Sequence, residues 1–363
     1  DDFLAESKSL LEYADDINYK STYLDYHYRS KHPSLIQFSN HAFYQSRLIP
    51  MPENTPYQAI HYKPVNGIYT DGTNQQEAHE IVDFIYNIQT INQELPSIGI
   101  ATFNIYQRDL ILEKLYEVAY SDVQKNEHLQ QLWNKGLFVK NLENIQGDER
   151  DIMLLSTTFG KDEVGNFKQL FGPINQQKGY QLLNVIITRA KHSLHVFTSI
   201  PETVFMKFET ELLEKGNTGK AIFYAYLAYV KACSEQLTDQ HKFVLSSIAK
   251  QENNNINKKK NQAISPLKQY VFDILKLRYK DAVKMDFELG GFNLDIVLLK
   301  DQQPILYLDI NTIENYHSEV AYRNKIHQAS ILNNYNIKTY TIWPFNWWNN
   351  EASELENIHT LIS

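Results

Sequence analysis

Apolar residues recur at helical spacing early in the chain, where Leu35, Ile36, Phe38, Ala42 and Phe43 fall on one side, and the spacing predicts a helix there. Just before it, Leu24 to Ser30 reads as a short strand entering a turn. Gln75 to about Ile91 is a second amphipathic segment, and a third carries Leu110, Ile111, Leu115 and Val118. Short apolar runs of strand length stand between these helices: Ile98–Phe103, Phe138–Leu142, Asp151–Thr157 and Leu194–Thr198, with a helical Leu182–Ala190 before the last. Strands alternating with helices predict a mostly parallel α/β sheet, which binds ligands beyond the C-terminal ends of its strands. From about Glu202 to Ser247 the pattern is helical again, with Phe223, Tyr226, Leu227 and Val230 on one side.

The periodicity stops at residues 251–261, a polar stretch with three consecutive lysines that reads as a solvated linker. A second α/β pattern opens at Ser265-Pro266, where serine as cap and proline at the first helical position mark a helix start. That helix runs to about Tyr279. A hairpin over Phe287–Lys300 pivoting on Gly290-Gly291, a strand Ile305–Ile310, a helix over residues 319–335 and a last strand Lys338–Trp343 follow. The chain divides into residues 1–200, a helical segment and linker at 201–262, and a smaller module at 263–363.

With 43% hydrophobic and 21% charged residues in 363, the composition is that of a globular protein of about two domains. The net charge of -8 argues against a surface coated in phosphate-binding residues, but a local basic groove is compatible with it. One cysteine, Cys233, excludes an internal disulfide and makes a zinc site unexpected; it fits a cytoplasmic protein. No apolar run is long enough to span a membrane, so no membrane partner is expected. Asp1-Asp2-Phe3 does not read as a natural start, and the expectation is a fragment of a longer protein.

Three segments carry chemistry. Asn144-Ile145-Gln146-Gly147-Asp148-Glu149-Arg150-Asp151 sets a glycine turn beside acidic and amide groups, directly before a buried strand. Leu183 to Lys191 places Arg189 where a guanidinium can reach a phosphate across a cleft. Upstream stands His27-Tyr28-Arg29-Ser30-Lys31-His32-Pro33. In this order they closely resemble the later motifs of superfamily 1 helicases of the nonsense-decay-helicase type, over roughly residues 1–200. The resemblance implies a second RecA-like domain. Arg29 and Arg189 would then reach the γ-phosphate of ATP held on a preceding RecA-like half, where such arginines contribute about 10³–10⁵ in rate. Glu149 would join them in catalysis, Gln146, Gly147 and Glu149 would line the nucleotide cleft, and Thr102 and Thr157 would meet the nucleic-acid backbone. No Gly-x-x-x-x-Gly-Lys-Ser/Thr loop is present, Gly219-Lys220-Ala221 being only a near-miss, and no apolar strand ends in Asp-Glu. The phosphate cradle and the Mg²⁺ ligands are therefore expected on the preceding half.

In the smaller module, Gly290 to Val297 puts Asp295 on a strand after a turn, followed by Tyr307-Leu308-Asp309-Ile310-Asn311, Tyr316-His317-Ser318 and a tryptophan-rich end. This resembles the very-short-patch-repair-like endonuclease domains fused to some bacterial helicases, of the restriction-endonuclease-like fold. The resemblance implies Mg²⁺ held by Asp295 and a second acid. Asn311 falls where that family has glutamate, Asp309 is the available alternative, and Lys268 stands where members often carry glutamate on the opening helix. A depleted or rearranged metal site, with Asp295 and Asp309 as its ligands, is the expectation. Trp343, Trp347 and Trp348 are read as core first and as base-stacking surfaces second.

The leading expectation is thus the C-terminal part of an ATP-dependent helicase acting on nucleic acid, with DNA favoured, and a degenerate nuclease-like module. A non-catalytic nucleic-acid- or partner-binding subunit is the second reading, and an active helicase-nuclease of antiviral defence the third.

Overall fold

The computed structural model describes residues 26–27, 29–50, 57–90, 94–175, 179–253, 265–289, 292–311 and 319–362. Tyr28, the Gly290-Gly291 turn, Tyr316-His317 and the linker from residue 254 lie outside the described residues. The fold is α/β, as the sequence pattern predicts. Five strands, Ile60–Pro64 (β1), Ile98–Thr102 (β2), Phe138–Asn141 (β3), Arg150–Ser156 (β4) and Ala190–Thr198 (β5), form a sheet in the order β1-β5-β4-β2-β3. Every neighbouring pair in it is parallel.

Of the three inner strands, β2 and the body of β4 read as apolar runs because helices cover both faces. On one face pack helices Gln75–Tyr86 (α1), Ile105–Ser121 (α2) and Val123–Asn134 (α3), through Ile81, Ile85, Ile111, Leu115 and Leu129. On the other lie Ser34–Phe43, Gly179–Ile187 (α4), Gly219–Ser234 (α5) and Thr238–Asn253, centred on Phe38, Leu183, Phe223 and Tyr226. Helix α5 is apolar on nearly every side and is buried almost throughout. Its residues belong to the same hydrophobic cluster as the sheet. The near-miss Gly219-Lys220 is simply its first turn, capped by Thr218.

Strand β1 is not evident from the sequence. It is a short edge strand whose alternation, buried Ile60 and Tyr62 against His61 and Lys63, covers only four residues before the exposed Pro64. Helix α3 is also missed; Asp122 caps it by accepting hydrogen bonds from the amides of Gln124 and Lys125.

The smaller region has four strands, Val283–Leu289 (β6), Phe292–Lys300 (β7), Gln303–Ile310 (β8) and Lys338–Ile342 (β9), in sequential order. The first two pairings are antiparallel and the last parallel. Helices Pro266–Tyr279 (α6) and Glu351–Ile362 contribute to the core on one face, with the fully buried Trp347 between them, and Glu319–Asn334 (α7) covers the other. Trp347 is therefore core, as first read, whereas Trp343 and Trp348 are exposed. Among the described residues, no helix is long and apolar enough to cross a membrane.

Candidate functional site

The three motif segments meet at one rim of the five-stranded sheet. Glu149 immediately precedes β4 and Arg189 immediately precedes β5, so the rim is formed by the N-terminal ends of the strands. Backbone bonds fix the segments to one another: the amide of Arg150 donates to Arg189 O at 3.1 Å, and that of Lys31 to Lys191 O at 2.7 Å. Ser30 is buried and donates its hydroxyl to Ala190 O at 3.3 Å, which seats the Arg29 turn beside β5. The general expectation of ligands at the C-terminal ends of strands does not describe this cluster. Its arginines lie at the opposite rim because the turns that carry them enter the strands.

Glu149 is the hub. One carboxylate oxygen accepts from Arg29 Nε at 2.6 Å, and the other faces Lys191 Nζ at 3.0 Å. These two cations hold the Glu149 carboxyl below the usual carboxylate range. Arg29 also donates from Nη1 to Thr188 O at 3.1 Å. Arg189 bonds to backbone carbonyls, from Nε to Val185 O at 2.6 Å and from Nη1 to Asp148 O at 3.5 Å. Burial and the neighbouring Arg29 charge pull the Arg189 pKa down. Arg29 and Lys191 share the Glu149 carboxylate, Arg189 lies in the field of Glu149 and Asp148, Lys140 pairs with Asp148, and Lys191 also acts on Asp151, so four cations stand among three carboxylates and leave an excess of positive charge suited to an anion. The Arg29–Glu149 pair is about a third exposed on each side, so it contributes roughly 1 kcal/mol or less to stability. Gln146 and Gly147 are exposed beside it. Gly147 has φ +91 with open space around its α-carbon, so the turn needs glycine for its backbone conformation.

The opposite rim holds Thr102 and Thr157. Both are fully buried. The Thr102 hydroxyl donates to Asn104 O at 2.7 Å, and Thr157 donates to the Thr198 hydroxyl at 2.8 Å. In this conformation neither hydroxyl reaches solvent. Beneath them lies a polar network that sequence reading does not anticipate. Its centre is Glu77 in the first turn of α1, fully buried. Its carboxylate accepts from the Ser156 hydroxyl at 2.6 Å, the Thr158 amide at 2.8 Å and the Ser199 amide at 2.8 Å. Desolvation pushes the Glu77 carboxyl up to about 7, against the lowering effect of those donors. Gln107, also buried, donates to Asn74 O at 3.0 Å and to the Ser156 hydroxyl at 3.2 Å, joining α2 to the same network.

In the smaller sheet, Asp295 on β7 and Asp309 on β8 occupy adjacent strands. Each carboxylate is taken by a lysine. Lys268 on α6 donates to Asp295 Oδ1 at 2.9 Å, while Asp295 Oδ2 accepts the Ile310 amide at 3.1 Å. Lys325 on α7 donates to Asp309 Oδ1, as does the Tyr307 hydroxyl at 3.0 Å. Asn311 is buried at the end of β8. Among the described residues no group of three or more His, Cys, Asp or Glu side chains could hold a metal ion. Among the described residues, ammonium groups balance both acids, so Asp295 and Asp309 as placed do not make a Mg²⁺ centre by themselves.

Residues 53–200 match the family described as AAA domain. The chain is 27% identical, over 98% of its own length, to the "uncharacterized ATP-dependent helicase MG140 homolog" of Mycoplasma pneumoniae, of which it covers 31%. It is 34% identical over 63% of its length to the "uncharacterized ATP-dependent helicase MG140" of Mycoplasma genitalium, covering 20% of that protein. The chain therefore spans about a third or less of the relatives it matches. The matched family segment holds the five-stranded sheet, Glu149 and Arg189, and the chain carrying it is homologous to proteins named ATP-dependent helicases.

Proposed function

We propose that this chain supplies the second wall of the ATP cleft in a superfamily 1 helicase. Arg29 and Arg189 act there as the arginines that neutralise charge developing on the γ-phosphate, and the phosphate cradle and Mg²⁺ belong to a preceding RecA-like half. The observation that carries this reading is the convergence of Arg29, Glu149, Arg189 and Lys191 on one rim with more positive than negative charge. Glu149 acts as their common counter-charge. Gln146 and Gly147 form the open edge of the cleft. The opposite rim, with Thr102 and Thr157 behind it, faces the nucleic-acid track, with DNA favoured. On this reading residues 1–200 are the RecA-like domain, 201–262 its helical continuation and linker, and 263–363 a degenerate endonuclease-like module.

The test is turnover of ATP by the longer protein that joins this chain to that half, with nucleic acid present. Arg29→Ala and Arg189→Ala each lower kcat by about 10²-fold or more while nucleotide binding changes less. Turnover that survives both substitutions refutes the assignment. The chain alone hydrolyses ATP no faster than buffer.

For the smaller module, the lysine partners of Asp295 and Asp309 favour a binding role over phosphodiester cleavage. Its acids fold the domain, and its job is to hold DNA or a partner.

A further inference from the structure

We infer that Glu77 is a positioning residue for the nucleic-acid rim: its carboxylate holds Thr157 and Thr158 turned inward, and releasing that grip turns their hydroxyls toward the backbone of a bound single strand. The inference rests on the reading that this rim faces nucleic acid.

Two independent features of Thr158 mark the segment as held under strain. Its φ is +69, in the left-handed region, where a β-branched residue is a true outlier. Its hydroxyl is buried with no hydrogen-bond partner among the described residues. A threonine gains nothing from either feature in a loop whose only task is to connect two elements. Strain of this kind persists only where surrounding contacts over-determine it, and it collects at sites that change state.

Backbone bonds from the Thr157 amide to Phe197 O at 3.0 Å and from the Phe159 amide to Thr157 O at 2.8 Å flank Thr158, and Glu77 holds the residue between them. The Thr158 amide donates to Glu77 Oε2 at 2.8 Å, and the neighbouring Ser199 amide donates to Glu77 Oε1 at 2.8 Å. A single carboxylate thus ties the end of β4 to the end of β5. Thr157 is turned inward by the bond to Thr198, and its hydroxyl lies 3.4 Å from Glu77 Oε1. Beyond it, Gly160 is pressed against Gly67, whose carbonyl oxygen would lie 2.7 Å from any β-carbon added there. The side chains bonded to the Glu77 carboxylate, Ser156, Thr157 and Asn74, are uncharged, so Glu77 is the one ionisable group among them, while Thr157 is held as well by Thr198 and by its own amide on Phe197 O.

Glutamine at position 77 keeps the shape but loses an acceptor. Its nitrogen then faces an amide N–H of Thr158 or Ser199, and that buried donor is left unbonded. Glu77→Gln is expected to bind a fluorescein-labelled oligo-deoxynucleotide roughly three- to tenfold tighter, the shift that follows from losing about one such bond on the closed side. Amide exchange at Thr158 and Ser199 accelerates in the same variant, while mid-strand Leu154 and Val196 stay as protected as in the parent. Thr158→Gly removes the backbone strain and the orphan hydroxyl together. It is expected to slow exchange at Ser199 and to bind the oligonucleotide more weakly. Unchanged or weaker binding by Glu77→Gln overturns the proposal, as does unchanged exchange at the two amides. If exchange responds as expected but neither parent nor variants bind any single strand, the reading of this rim as a nucleic-acid face fails, and the proposal falls with it. If the parent binds and Glu77→Gln does not alter that affinity, only the proposal falls.

Discussion

Arg29 and Glu149, 120 residues apart in the chain, meet at 2.6 Å through Nε and Oε2. The same carboxylate also pairs with Lys191, so two of the cations on this rim share one internal negative charge. An incoming phosphate competes with that charge. Glu149→Gln is therefore expected to raise the affinity of the chain for inorganic tripolyphosphate, by roughly three- to tenfold at low salt. Calorimetric titration of both forms measures it. Equal affinities would show that Glu149 does not occupy the anion's place.

Glu77 makes stability depend on pH with a definite sign. Its folded pKa, about 7, lies above the ordinary 4.5, so the folded state binds the proton more tightly. The contribution is fully present at low pH and is lost as pH rises from about 4.5 to about 7. Its size is about 3 kcal/mol. Histidines oppose it: desolvation lowers the half-buried His27 and His32 to about 4 and the buried His195 to about 3, which costs stability as pH falls below 6.5. The difference in urea stability between the parent and Glu77→Gln, followed from pH 4.5 to 8, isolates the carboxylate. A difference that is flat across that range would refute the buried, proton-binding state.

The smaller module is expected not to nick plasmid DNA above background with Mg²⁺ or Mn²⁺, and Asp295→Ala is expected to change nothing in that assay. The reason is the pairing of Asp295 with Lys268 and of Asp309 with Lys325. Strong cleavage abolished by Asp295→Ala would instead make the two acids metal ligands and displace both lysines.

Binding of single strands is expected to weaken as salt rises and to vary little with base sequence, because a backbone track is read through phosphate charge. Fluorescence anisotropy at two salt concentrations gives the slope. Affinity indifferent to salt would count against a phosphate track on this chain.

Much of this architecture is legible in the sequence because its strands are buried on both faces. Ile98–Thr102 and Arg150–Ser156 stand out as apolar runs, and Ser265-Pro266 marks the start of α6 to the residue. The edge strand β1 is invisible for the opposite reason: one side of its ladder is unpaired and its last two residues are exposed. The rim around Arg29 was legible because glycine, acid and arginine types keep their order along the chain. Glu77 was not. Its place three residues after Asn74 reads as an ordinary helix-capping pair, and Asn74 does cap that helix. That the carboxylate turns away to the ends of two strands is a tertiary fact with no local signal. Thr102 ends β2 and Thr157 follows β4 directly, but sequence alone cannot say whether a hydroxyl at such a place points out or is bonded inward.

Strand β4 starts at the residue after Glu149 and ends at Ser156, whose hydroxyl is bonded to Glu77. At about 3.3 Å per residue, its length is roughly 20 Å. Its register against β5 shifts between Arg150 and Ile152, and from there on β2 and β5 flank it without a break. The two rims are consequently mounted in series on one strand. A displacement beside Glu149 would meet the register shift at Arg150–Ile152 first and the Glu77 network last.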